Sequence, residues 1–162
     1  MDNGDIFRRL RYILDLDDSS IVETFRSGGL EVEWSKIYSW LKKDDDPAYT
    51  KMHDKNLAHF LNGIIISKRG KKDDQPMIAE KKLDNNLIIK KLKIAFNLKS
   101  EDIVKLLDLT NLIVSENEVT AFFRRKDHKH YRECKDQFLR AFLKGLQINL
   151  RGESSKSMEE VE

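Results

Sequence analysis

The chain contains one unit twice. Every residue from 3 to 70 has a counterpart 82 positions later, from 85 to 152, without a gap, and 18 of the 68 pairs are identical. The identities include Ile6/Ile88, Leu10/Leu92, Ile21/Ile103, Val22/Val104, Tyr49/Tyr131, Asp54/Asp136, Phe60/Phe142, Gly63/Gly145 and Arg69/Arg151 with the glycine that follows. Most other apolar positions pair with an apolar residue, as in Trp40/Phe122 and Ile37/Val119. A chain of 162 residues built this way must fold as two copies of one small motif. The expected organisation is a first unit at 1–70, a linker at 71–84, a second unit at 85–152, and a disordered acidic tail at 153–162.

Each unit carries four apolar stripes at helical spacing. Ile6, Leu10, Ile13 and Leu14 fall at i, i+4, i+7 and i+8. Ile21, Val22 and Phe25 follow the break at Asp15–Asp18, and Gly28-Gly29 stops that helix. Ile37, Trp40 and Leu41 form a third stripe, closed by Asp44-Asp45-Asp46-Pro47, where proline pushes Asp46 out of the α region. Leu57, Phe60, Leu61 and Ile64 form the fourth. The second unit repeats each stripe, and Ser115 with Glu118 three later has capping-box spacing. No period-2 run predicts a strand. The expected fold is all-α: two tandem four-helix units, packed with pseudo-twofold symmetry because so small a unit has little stability margin alone.

Composition excludes several classes. One cysteine cannot form an internal disulfide or a Cys-based zinc cage. No apolar run approaches the roughly 20 residues of a membrane helix, and the N-terminus is acidic where a signal peptide is basic. These features predict a cytoplasmic protein without a membrane association.

Longer strings carry a family resemblance. They are Phe7-Arg8-Arg9-Leu10-Arg11-Tyr12-Ile13, the stretch from Trp40 to Pro47, Phe60-Leu61-Asn62-Gly63, Phe122-Phe123-Arg124, the stretch from His128 to Gln137, and Leu143-Lys144-Gly145-Leu146-Gln147. Together they resemble the YehS-like family of small bacterial proteins, a domain of unknown function duplicated in tandem. The resemblance implies a bacterial cytosolic protein. It carries over no catalytic residue, ligand or partner.

Charge is unevenly divided. Residues 85–152 hold 14 basic and 8 acidic side chains, against 13 and 12 in residues 1–72. Positive charge recurs at the repeat offset at Arg8/Lys90, Arg11/Lys93, Lys42/Arg124 and Lys43/Arg125. With Lys129 and Arg132 these form the candidate nucleic-acid-binding set, since duplicated basic clusters can grip phosphates. A structural reading stands beside it. Lys42-Lys43 and Arg124-Arg125 close a helix, where cations favour the macrodipole, and Arg8, Arg9 and Arg11 suit a solvated face. The second and third helices of each unit are loosely similar to a helix-turn-helix, with Lys36, Ser39 and Lys43 on the reading face. Their turn exceeds the usual 3–4 residues.

The stretch 124–136 is the densest in polar chemistry. His128, His130 and Cys134 suggest zinc or a thiol, but the surrounding positive charge opposes a cation. Their counterparts Asp46, Ala48 and Met52 point to a buried, apolar role for Cys134. Asp44-Asp45-Asp46 is explained by turn formation and capping of the next helix, and single His53 and His59 by surface placement. There is no Gly-rich phosphate loop, triad or duplicated acid pair, so the sequence predicts neither an enzyme nor a bound cofactor. The expectation is a non-enzymatic binding or regulatory module whose partner is DNA or RNA. The alternative is a protein-interaction adaptor using an exposed apolar patch near Trp34.

Overall fold

The computed structural model describes residues 1–70 and 77–152, and the expected acidic tail and the first half of the linker lie outside them. Eight helices are present, and no strand among the described residues. They are α1 (Asn3–Ile13), α2 (Asp18–Ser27), α3 (Trp34–Leu41), α4 (Asp54–Arg69), α5 (Asn85–Ala95), α6 (Ser100–Asp108), α7 (Glu116–Ala121) and α8 (Asp136–Arg151). The chain divides into two compact units between Leu83 and Asp84. The protein is thus all-α, with four helices in each unit.

The repeat is legible in the backbone. All four helices of the second unit begin 82 residues after their counterparts. Positive φ occurs at Asp15 and Asn97, Gly29 and Asn111, and Gly70 and Gly152, again 82 apart. Outside glycine that conformation falls on Asp and Asn, whose short polar side chains tolerate it. The tertiary link from Thr50 N–H to the Ser39 carbonyl (3.2 Å) recurs from Arg132 N–H to Ala121 (3.2 Å).

In the first unit α2 packs on α4, and α1 packs on α3 and α4. Its core is aromatic: Phe7, Phe25, Trp40 and Phe60 are all essentially buried. Phe7 and Phe60 lie edge to face at 4.8 Å, and Phe25 meets Trp40 at 5.8 Å. In the second unit α6 packs on α7 and α8, and α5 on α8. Ile89 and Leu107 replace Phe7 and Phe25, so that core is largely aliphatic, with Phe122 and Phe138 paired at 5.3 Å.

Local chemistry explains the helix limits. Asp2, Asp17, Asp84 and Ser115 each cap a helix by accepting a backbone N–H. Asp102 accepts the Lys99 N–H at the start of α6 (2.8 Å). Gly28 ends α2, and Gly29 turns the chain at φ +90°. Six residues separate α2 from α3, longer than the helix-turn-helix connection. Asp46 forms its expected turn by accepting from Ala48 N–H (2.8 Å). It caps no helix, because α4 begins only at Asp54. His59 is half-buried rather than on the open surface, its Nδ1 2.7 Å from the Gly28 carbonyl oxygen. Within the expected linker, residues 77–83 are tied to the first unit: Asn62 donates to the Ile78 carbonyl (3.2 Å), and Leu83 N–H to Asp54 (2.8 Å).

Candidate nucleic-acid interface

The ten basic residues singled out in the sequence have different surroundings. Arg8 is consumed by the fold. Its Nη1 donates to the carbonyls of Lys42 (2.9 Å), just past α3, and Trp40 (3.4 Å), in its last turn, and its other nitrogen pairs with Asp5. It satisfies orphan carbonyls at a helix end. Gly4 leaves it room: a Cβ there would sit 3.1 Å from Nη1 of Arg8. In the second unit Asn86, the counterpart of Gly4, does this work instead. Its Nδ2 donates to Phe122 (3.0 Å) and Arg132 (2.8 Å), and its Oδ1 accepts from Cys134 N–H (2.9 Å). Lys90, the counterpart of Arg8, is therefore released to solvent, where it is exposed and has no ion-pair partner among the described residues.

The remaining cations of the first unit are scattered. Arg11 is exposed and lies 3.9 Å from Asp18. The Lys42 ammonium sits 4.2 Å from the Tyr38 ring centroid, and Tyr38 holds it above its ordinary range. Lys43 is exposed. Trp34 is half-buried rather than exposed, and the open aromatic surface falls one turn later on Tyr38, 47% exposed.

The cations of the second unit lie on α5 and on the segment after α7. Asn86, Lys90 and Lys93 fall at i, i+4 and i+7 on one face of α5. Asn86 reaches the Phe122 carbonyl, and the Lys93 ammonium lies 5.4 Å from the Phe123 ring centroid. Lys90 lies on the same face of α5 and is exposed. Arg124 follows directly and donates to the His130 carbonyl (3.3 Å), which folds the loop back toward α7. α7 is two residues shorter than α3, so Arg124 and Arg125 stand on this loop rather than on a helix end. Lys129 is fully in the loop, exposed and without an ion-pair partner among the described residues. Arg125 pairs with Asp127 (3.2 Å), and Arg132 with Glu118 (3.1 Å) while stacking 5.1 Å from the Phe138 ring.

A cleft of about 580 Å³ borders this loop, lined by Asp84, Asn85, Asn86, Lys126, Tyr131, Glu133 and Cys134. The Lys126 ammonium, absent from the sequence-derived set, lies 2.9 Å from Asp84 and is held above its ordinary range by it. Partial burial pushes the Asp84 carboxyl up, but Lys126 and the Leu87 N–H outweigh this and leave it lowered. Asn85 donates to the Cys134 carbonyl (3.0 Å) and to Asp136 (2.8 Å). Asn3 repeats this with Met52 (3.0 Å) and Asp54 (2.7 Å). The Asn and Asp identities in the repeat are thus a structural clamp. The signal was present in the sequence as paired identities, but nothing there distinguished a clamp from a ligand site. Burial, then the charges of Asp136 and Asp84, push the Cys134 thiol up to about 12, which favours its neutral form. Among the described residues no group of three or more His, Cys, Asp or Glu is placed to hold a metal ion, and no helix is long and apolar enough to cross a membrane.

Comparison with known proteins adds a lineage. A family described as a protein of unknown function, DUF1456, matches residues 3–70 and again 85–152. The chain is 43% identical to the Uncharacterized protein YehS of Escherichia coli (strain K12) over 145 residues, covering 89% of this chain and 93% of that protein. No solved structure matches.

Proposed function

The chain belongs to the DUF1456 family, and from its geometry we propose a non-enzymatic binding module that takes the phosphate backbone of DNA or RNA on its second unit. One observation carries this reading. Asn86 takes over the bond to the position-40 carbonyl that Arg8 makes in the first unit, and so leaves Lys90 exposed on the α5 face that also carries Lys93, while Arg124 and Lys129 stand on the loop after α7. Cations that do not pair with carboxylates are the ones a polyanion can neutralise with release of counterions. No aromatic side chain of the second unit is among the exposed large hydrophobic residues. Beside its cations the face exposes the His128 and His130 imidazoles, a balance that favours backbone contact over base recognition.

The test is fluorescence anisotropy with labelled duplex DNA and RNA, from roughly 50 to 200 mM salt. Log affinity is expected to fall with log salt at a slope near −3, roughly 0.9 per phosphate contacted. Arg124→Glu with Lys129→Glu should abolish binding to both duplexes. Arg11→Glu should leave it intact. Binding that is salt-independent, or indifferent to the double reversal, ends the proposal.

A second reading, a protein-interaction adaptor, draws on Tyr38, exposed beside half-buried Trp34 in the first unit. It predicts that Tyr38→Ala removes capture of one defined protein in a nuclease-treated pull-down.

A further inference from the structure

The turn at 128–130 has two chemistries in the two units. In the first, the Asp46 carboxylate accepts the N–H of Ala48 (2.8 Å). At the offset of 82, His128 Nδ1 accepts the N–H of His130 (3.0 Å). The same local turn is thus closed by a carboxylate in one copy and by an imidazole in the other. Flanking backbone links, His128 N–H to the Arg125 carbonyl (2.9 Å) and Tyr131 N–H to the His128 carbonyl (3.0 Å), place the ring within the loop.

A carboxylate stays an acceptor throughout the neutral range. An imidazole is an acceptor only while one nitrogen is unprotonated, and a second proton turns Nδ1 into a donor. Imidazole is the side chain whose ordinary titration falls between about pH 5 and 8. We propose that His128 is a proton-sensitive latch on the basic loop. Neutral, it closes the turn. Protonated, it releases the His130 N–H and adds positive charge to the face assigned above to phosphate binding, so this inference rests in part on that reading.

The charged neighbours strengthen the response. Arg125 is paired with Asp127, and Lys126 with Asp84 across the cleft. Glu133 is paired with Lys135. Arg124 is tied to the His130 carbonyl, while Lys129 adds an unpaired cation. The His130 ring lies 5.6 Å from that of His128, so two imidazolium groups would repel across the turn. An incoming phosphate offsets that repulsion, and binding is linked to proton uptake.

The test is an NMR titration of the full chain without nucleic acid, following the His128 and His130 rings and the His130 amide. The His130 amide is expected to shift with the His128 ring titration. In a His130→Gln background, His128→Asp, which restores the arrangement of the first unit, should hold the residue-130 amide constant over the range in which histidine titrates. His130→Gln should leave the wild-type response in place. An amide that does not move, or that still moves when His128→Asp is made in the His130→Gln background, overturns the latch. Anisotropy with duplex DNA at about pH 7.5 and 5.5 is the second arm. Wild type should bind roughly tenfold tighter at the lower pH, and His128→Asp should lose that gain. A moving amide with pH-independent binding overturns the regulatory part. A moving amide with no binding at either pH ends the phosphate reading and leaves the latch standing.

Discussion

A Cβ added to Gly63 would lie 1.9 Å from the carbonyl oxygen of Thr24, and its counterpart on Gly145 would lie 2.3 Å from that of Leu106. The two glycines are 82 apart, and so are the two carbonyls they face. The helix pairs α2/α4 and α6/α8 therefore cross at backbone contact distance, which only glycine allows. Gly63→Ala and Gly145→Ala should each destabilise the protein by about 2–3 kcal/mol, because the helices must separate. The gain of about 1 kcal/mol in helix propensity does not offset this. Urea denaturation followed by circular dichroism reads the change. An unchanged midpoint in either variant would show that the crossing can widen freely.

Trp40 is buried, and its Nε1–H has no hydrogen-bond partner among the described residues. An unpaired buried donor costs about 1–3 kcal/mol. Phe122 fills the equivalent place in the second unit without that donor. Trp40→Phe should consequently change stability by less than about 1 kcal/mol, since lost ring contacts and the removed donor nearly cancel. Trp40→Ala should cost about 3–5 kcal/mol. Thermal unfolding of the two variants separates them. A Trp40→Phe variant as damaged as Trp40→Ala would mean that the indole nitrogen is satisfied in solution.

Asn86 and Arg8 satisfy one equivalent carbonyl, Phe122 in one unit and Trp40 in the other, by different routes, and the routes are exchangeable in principle. Asn86→Gly strips donors from the Phe122 and Arg132 carbonyls and the acceptor from Cys134 N–H, and should cost about 2–4 kcal/mol. Lys90→Arg on that background recreates the Gly4–Arg8 arrangement and should recover about 1 kcal/mol. The same double variant should weaken duplex binding, because the freed cation is put back to work. A double-mutant cycle with no coupling would show that residue 90 does not reach the end of α7.

The fold was readable because period and offset are statements about spacing, and spacing is what a sequence records. The stripes at Ile6–Leu14 and Leu57–Ile64 became α1 and α4. The Gly28-Gly29 stop and the Ser115 cap fell where local chemistry put them. The candidate site was readable only as a set of charges. Arg8 and Lys90 look alike in sequence, and their fates diverge because of position 4 against position 86, one turn away. Trp34 is the first residue of α3, and its half-burial depends on packing that no local pattern encodes. The turn at His128 is not legible as a device in the sequence, because its counterpart, Asp46, carries a different acceptor of similar reach.

Cys134 offers a last check on the interior of the second unit. The thiol is buried, and burial with the nearby Asp136 and Asp84 charges pushes it up from 9.0 to about 12. A folded-state value above the unfolded one means that ionisation favours the unfolded chain. The stabilisation is fully present below pH 9 and is lost as pH rises from 9 toward 12, at up to about 1.4 kcal/mol per pH unit. Lysine and tyrosine titrate in the same range, so the quantity to measure is the difference between wild type and Cys134→Ala. The variant should start lower by about 1–2 kcal/mol, from lost packing, and should then fall less steeply above pH 9. Near neutral pH, a thiol-specific reagent should label native Cys134 only as fast as the unit opens, and full reactivity should appear in urea. Rapid labelling of the native protein would mean that the thiol is reachable from the cleft beside Tyr131 and is not part of the core.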